Sequence, residues 1–137
     1  MLNLWQVILD FGMMVLIWII QLIVYPSFKD FEESNLIRWH QTYTKRISVI
    51  VGPLMIAQMA VYLYGSITRP SAERIVGLGL LIALWLITFA VFVPLHNRIN
   101  KGSMLGPTLD RLVKANWVRT VLWTFVFVLS YLAFDKS

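Results

Sequence analysis

The chain has no cysteine. That single absence removes disulfides, thiolate metal sites, covalent c-type haem and a thiol nucleophile. Histidine occurs only at His40 and His96, and neither has a carboxylate at ligand spacing. A protein-only metal site, which takes three or four ligands, is therefore not expected. Charge is scarce too: Asp, Glu, Lys and Arg supply 14% of 137 residues, against about a quarter in an ordinary soluble domain. No serine–histidine–acid triad, phosphate loop or pair of carboxylates is visible.

What fills the space is apolar. Hydrophobic residues make up 58% of the chain, and they gather in four runs: Leu4–Tyr25, Ile47–Ile67, Ile75–Leu95 and Val118–Phe134. A helix needs about 20 such residues to cross a bilayer. Adding the flanking polar turns predicts helices over 4–25, 34–67, 75–95 and 108–134, within one domain spanning 1–137. The expected fold is all-α, a polytopic membrane protein built as a four-transmembrane-helix bundle from two helical hairpins. The first run lacks a basic leader and a small-residue cleavage site, so it is expected to stay in the membrane rather than act as a signal peptide.

The net charge of +5 is unevenly placed. Lys29, Arg38, Lys45 and Arg46 lie around the first connection, and Arg98, Lys101, Arg111, Lys114 and Arg119 around the third. Only Arg69, Arg74 and Lys136 fall on the other side. This nine-to-three split predicts connections one and three in the cytoplasm and both termini outside, in a cell inner (cytoplasmic) membrane. Basic residues at membrane ends are explained by anionic lipid, so the bilayer is the expected partner and nucleic acid is not.

Connection two, around Thr68-Arg69-Pro70-Ser71, predicts a tight hairpin. Connection one is predicted to turn helical near Ser34, and Pro53 to kink the helix that follows. The third connection, NRINKGSMLGP, reads as a loop, so Gly102-x-x-x-Gly106 is not a helix-dimerisation motif. Both halves carry a proline step at the end of their first helix (Tyr25-Pro26, Val93-Pro94) and enter their second through Trp and Arg. An old duplication and convergence on common interface residues both account for this plan.

Polar residues recur on helical faces. At about 100° per residue, Asn3, Gln6, Asp10, Gln21 and Tyr25 share a sector of the first helix. The second aligns His40, Ile47, Val51 and Gln58, with Tyr43 beside them. Trp85, Thr88, Phe92 and His96 form a stripe on the third, and Asn116, Thr120, Trp123, Phe127 and Ser130 on the fourth, with Arg119 at its edge. Polar stripes in membrane helices face protein, since a central Asp costs about 2.5–3.5 kcal/mol against lipid. Asp10 reads as a structural partner for Gln6, Asn3 or another helix, while the mid-membrane Trp18 and Trp85 each need a partner for an indole N–H. Arg38 and Lys45 read as surface anchors.

The stripes predict a polar pocket toward the cytoplasmic end. His40, His96 and Tyr43 are its candidate catalytic residues. Gln21, Tyr25, Arg46, Trp85, Asn97, Asn116, Arg119 and Trp123 are its candidate ligand-binding residues. A histidine beside arginines suits a general base next to an oxyanion stabiliser. An interhelical hydrogen-bond network that only holds the bundle together reads the same residues structurally. No metal or cofactor is expected; the alternative is haem held through His40 and His96, which lie on the same membrane side.

Several short motifs carry a resemblance: Tyr25-Pro26, Arg46 to Pro53-Leu54-Met55, Val93-Pro94-Leu95-His96-Asn97-Arg98, and Asn116-Trp117-Val118-Arg119-Thr120. Together they resemble small four-helix bacterial integral membrane proteins of unassigned activity. More remotely the layout is similar to the anthrone-oxygenase-like membrane family, with an Asn-x-Arg-like element after helix three and an arginine entering helix four. That family often has a histidine just before this arginine, where the present chain has Asn116 and Trp117. A weaker likeness, to haem-binding protoporphyrinogen-oxidase-type proteins, lacks their histidine in helix one. The resemblance implies a membrane pocket for a lipophilic ring-bearing molecule, with oxygenase- or isomerase-like chemistry. The alternatives are a non-catalytic structural or assembly subunit of a larger membrane complex, a homo-oligomer, and, further off, a haem-binding or transport protein.

Overall fold

The computed structural model describes residues 1–136. Four helices carry them: α1 Leu2–Asp30, α2 Glu33–Thr68, α3 Ala72–Asn100 and α4 Leu105–Asp135, each long and apolar enough to cross a membrane. Helices suit that setting because every backbone group inside one finds its partner without water. The connections are short, at 31–32, 69–71 and 101–104. Short connections force neighbours antiparallel, and α1 packs on α2 and α4 while α3 packs on the same two. The protein is thus an all-α bundle of two hairpins, with the helices at the corners of a square in chain order. One end holds the termini and the second connection. The other holds the first and third connections, and we call it the basic end.

Side-chain size sorts into an interior and a belt. Met13, Ile17, Met55, Tyr62, Leu81, Leu84, Trp123 and Val126 pack together in one cluster. Nearer the basic end a second cluster joins Ile20, Tyr25, Phe28, Leu36, Phe92, Leu95, Ile99 and Leu112. Leu22, Ile23, Val49, Ile67, Leu86, Phe89 and Val121 are exposed, a ring of apolar surface that water would not tolerate. These candidate spans make the chain a multi-pass membrane protein in contact with a lipid bilayer.

Proline shapes both hairpins alike. A proline has no N–H, and its ring crowds the carbonyl four residues back. Just ahead of Pro26, α1 opens into a π-helical turn, Ile20–Val24; just ahead of Pro94, α3 does the same at Thr88–Phe92. The wider turn moves the carbonyls that a plain α-helix would press against the ring. In α2 the helix runs through Pro53 unbroken, with the ring exposed toward lipid.

The third helix does not end at Leu95, as its proline step suggests, but continues to Asn100. Residues 97–100, expected in a loop, are helical. Gly102, at φ 65°, closes the helix. Its N–H reaches the Ile99 carbonyl (3.0 Å), and the Ser103 N–H reaches that of Arg98 (2.9 Å). This pairing satisfies carbonyls that a helix end otherwise leaves open. A β-carbon on Gly102 would also stand 2.9 Å from Ile37. The fourth helix starts at Leu105, ahead of the expected Thr108, with Pro107 in its first turn, where a missing N–H costs nothing. Lys29 and Asp110 (2.5 Å) clip α1 to α4 there, an exposed pair whose attraction solvent screens.

At the terminal end the polar stripe resolves into pairs. Asp10 is fully buried and accepts from Gln58 Nε2 (2.6 Å) and the Tyr62 hydroxyl (2.7 Å), both on α2. Asn3 and Gln6 instead bind the Arg74 guanidinium, which also reaches the Arg69 carbonyl. Trp123 donates to Gln58 Oε1 (3.3 Å), and Trp18 to Thr124 Oγ1 (3.0 Å).

Candidate functional site

A cleft of about 380 Å³ lies between α2 and α3, within the size range of small-molecule sites. Tyr43, Thr44, Ile47, Ser48, Val51, Gly52 and Met55 form one wall, and Trp85, Thr88, Phe89, Phe92, Val93, His96, Asn97 and Asn100 the other. Ile20, Tyr25 and Arg119 reach it from α1 and α4. It therefore extends from the basic end toward mid-bundle, and Ser48, Phe89, Val93 and Asn97 on its rim are exposed. Two local features make the room. The π turn of α3 displaces its wall, and Gly52 faces open space where a side chain would sit.

Most polar groups on these walls are already occupied. Ser48 Oγ bonds the Thr44 carbonyl (2.6 Å), Thr44 Oγ1 that of Gln41 (3.2 Å), and Thr88 Oγ1 that of Leu84 (2.8 Å). Such local bonds leave the walls effectively apolar. Polar capacity gathers at one end, around Arg119, Tyr25 and His96.

There the side chains form a linear hydrogen-bonded chain. The Tyr25 hydroxyl lies 3.1 Å from His96 Nε2, His96 Nδ1 lies 2.8 Å from His40 Nε2, and His40 Nδ1 lies 2.6 Å from Asn100 Oδ1. With Asn100 Oδ1 assigned as an acceptor, every direction follows, because a neutral imidazole donates from one nitrogen and accepts at the other. His40 donates to Asn100, His96 to His40, and Tyr25 to His96. The two imidazoles stack at 5.0 Å and 25°. Phe28 sets its ring edge-on to His40 at 5.3 Å and to Tyr43 at 5.3 Å, fixing both. Gln41 holds the Asn100 backbone carbonyl (3.3 Å).

Arg119 is the exceptional group. It is 5% exposed, and its Nε has no hydrogen-bond partner. Among the described residues the only ion pair is Lys29–Asp110, so no carboxylate offsets this charge. Its neighbours are aromatic: the guanidinium carbon stands 4.2 Å over the Phe92 ring and 5.1 Å from that of Trp123. It also lies within interaction range of the Tyr25 and Tyr43 hydroxyls. Desolvated cation–π contacts contribute about 2 kcal/mol, less than the several kcal/mol that burying an ion costs.

The sequence-predicted residues separate into three groups. Tyr25, Tyr43, Trp85, His96, Asn97 and Arg119 line the cleft, and His40 stands behind His96, fully buried. Gln21, Asn116 and Trp123 lie deeper. Asn116 Nδ2 and Thr120 Oγ1 donate to Gln21 Oε1 (2.9 and 3.1 Å), and Gln21 bonds the Val113 carbonyl (3.2 Å), tying α1 to α4. Arg46 is exposed and not part of the cleft. Asn100 and Gly52 were missed. Asn100 sits four residues after His96, a spacing that shares a helix face, once the segment is known to be helical.

Haem does not fit between the histidines. Both nitrogens of His40 are engaged, one of them by His96 itself, and the stacked rings leave no room for a macrocycle. Among the described residues no group of three or more potential metal ligands occurs. In comparisons with known proteins, no family model matches the chain, and no curated protein or solved structure is significantly similar to it.

Proposed function

We propose that the cleft binds a lipophilic, ring-bearing molecule that enters from the bilayer and presents an anionic or strongly electronegative oxygen to Arg119. Connections one and three then face the cytoplasm of an inner membrane, by the charge distribution of the loops. One observation carries this reading: a buried, uncompensated guanidinium at the end of an otherwise apolar cleft. Buried charges are normally paired, and ionisable groups within a membrane bundle mark substrate positions more often than packing. The aromatic faces of Phe92 and Trp123 favour a planar partner beside the cation, and the volume suits two or three fused rings. Such a site supports acid–base chemistry of the isomerase or cofactor-free oxygenase type, in line with the ligand class that the family resemblance implies.

The test uses protein in lipid nanodiscs, titrated with a lipophilic hydroxynaphthoquinone and read by tryptophan fluorescence, since Trp85 lines the cleft and Trp123 lies beneath it. Saturable quenching is expected. Arg119→Gln should weaken it at least about tenfold, the equivalent of one charge-assisted hydrogen bond. Gly52→Phe, which fills the open space, should abolish it. Wild-type quenching in both variants would sink the proposal and favour a purely structural subunit.

A further inference from the structure

At the opposite end of the bundle, where the termini meet the second connection, lies a smaller cavity of about 170 Å³. That is the volume of about six waters, below the range of about 300–1,000 Å³ for whole small-molecule ligands. Asn3, Gln6, Glu73, Arg74, Ser130 and Lys136 line it, from α1, α3 and the end of α4. Arg74 is held firmly. A β-carbon on the buried Gly65 of α2 would stand 3.0 Å from its Cδ and Nε, so the arginine stem lies where only a glycine leaves room. Each guanidinium nitrogen donates to a neutral oxygen: Nε to Gln6 Oε1 (3.3 Å), one terminal nitrogen to the Arg69 carbonyl, and the other to Asn3 Oδ1. A guanidinium has five N–H groups, which leaves one on each terminal nitrogen. Neutral acceptors fix the fork without cancelling its charge.

The rest of the lining is polar as well. Gln6 is 5% exposed and Ser130 3%, so polar side chains floor the cavity where apolar ones could have sealed the bundle. Lys136 brings a second cation to its wall. The Glu73 carboxylate lies within interaction range of both cations, yet among the described residues Lys29–Asp110 is the only ion pair. A staple between α1 and the second connection would need Arg74 and its three acceptors; it would need neither the open space nor Lys136. The level of the cavity is also informative. Trp5, Ile75 and Tyr131, each next in sequence to a lining residue, are exposed, and Trp and Tyr at the ends of spans mark the depth of lipid head groups.

We infer that this cavity is a phospholipid site. The phosphodiester of a lipid in the adjoining leaflet takes the two remaining N–H groups of Arg74 and the Lys136 ammonium, and an amine on the head group takes Glu73. Arginine binds phosphate oxygens in pairs through such a fork. A site for phosphate alone would gain nothing from a carboxylate beside it, whereas a zwitterionic head group matches both signs. So bound, the lipid joins the start of α1, the start of α3 and the end of α4 at one point. The inference is independent of the cleft and of its proposed ligand.

Native mass spectrometry of delipidated protein in detergent, titrated separately with phosphatidylethanolamine and phosphatidylglycerol, gives the Kd of the first lipid bound. Phosphatidylethanolamine should bind more tightly. Arg74→Gln should weaken it at least about tenfold, the equivalent of one charge-assisted hydrogen bond. Lys136→Gln should weaken it up to about fivefold, as expected of an exposed ion pair; at the exposed end of the chain, it keeps the test open if Arg74→Gln fails to fold. Glu73→Gln should remove the preference for the amine. Arg111→Gln deletes the same charge at the basic end and should change nothing. Wild-type affinity in Arg74→Gln or Lys136→Gln, or equal weakening in Arg111→Gln, overturns the site. A preference that survives Glu73→Gln overturns the amine. Inorganic phosphate distinguishes the remaining source: it should leave the Tm of delipidated protein unchanged, and a rise that Arg74→Gln abolishes would assign the cavity to a free anion and overturn the lipid.

Discussion

His40 Nε2 and His96 Nδ1 meet at 2.8 Å across 56 residues of sequence, joining the first hairpin to the second through two imidazoles. Each ring has its second nitrogen engaged as well, by Asn100 on one side and Tyr25 on the other. A histidine pair with no unused nitrogen has its tautomers set by its neighbours, and that can be measured.

Both rings should carry their proton on Nδ1. Nitrogen-15 chemical shifts of histidine-labelled protein check this directly. If both prove protonated on Nε2, the row runs in the opposite direction and the Asn100 amide is turned over.

The Asp10 cluster should behave as structure and not as site. Tyr62→Phe removes a donor to a buried carboxylate and should cost up to about 1.7 kcal/mol, the upper range for an interhelical membrane hydrogen bond. Thermal unfolding in detergent would show this as a lower Tm, with hydroxynaphthoquinone quenching unchanged. Loss of quenching would mean that the two ends of the bundle are coupled.

Two glycines of α3 should respond in opposite ways. A β-carbon on Gly77 would lie 2.3 Å from the Tyr62 ring, whereas one on Gly79 meets nothing within 4 Å. Gly77→Ala should therefore destabilise the bundle by about 1–3 kcal/mol, the usual cost of overpacking. Gly79→Ala should be neutral or slightly stabilising, since alanine favours helix by about 1 kcal/mol. Equal Tm values for the two variants would contradict the close approach of α2 and α3.

Orientation has its own test. A periplasm-active reporter fused after Ser137 should be active, with its cytoplasm-active counterpart silent. The reverse pattern would place the His40–His96 end outside.

The four helices were legible because apolar length is a property of composition, and the membrane leaves no other use for it. The stripes on α1 and α2 were legible for the same reason, as lipid does not accept polar side chains. Three features were not. Arg46 was paired with Arg119 by residue type, yet at 100° per residue it stands about 120° round α2 from His40, which turns it outward. Asn100 was hidden because Pro94 and the polar run after it look like the end of a helix. The π turn ahead of Pro94 removes the clash that would have ended it. That the Arg119 Nε goes unpaired while the Arg74 guanidinium has three partners depends on which helices meet, and no single-helix pattern carries that information.

The widened turn of α3 has one more consequence, for the number of residues the helix can hold. Counted as plain α-helix, the twelve steps from Leu84 to His96 amount to a rotation that leaves the histidine about 120° away from the leucine. The turn at Thr88–Phe92 takes up one of those steps and reduces the separation to about 20°. The slack is local. Deleting Ala90 would return this turn to plain α-helix, keep His96 on the inner face and leave Pro94 to kink the helix, while deleting one residue between Pro94 and His96 would swing the histidine toward lipid. The segment just before each proline is thus the stretch of these helices where an inherited gain or loss of a single residue leaves the inward face intact.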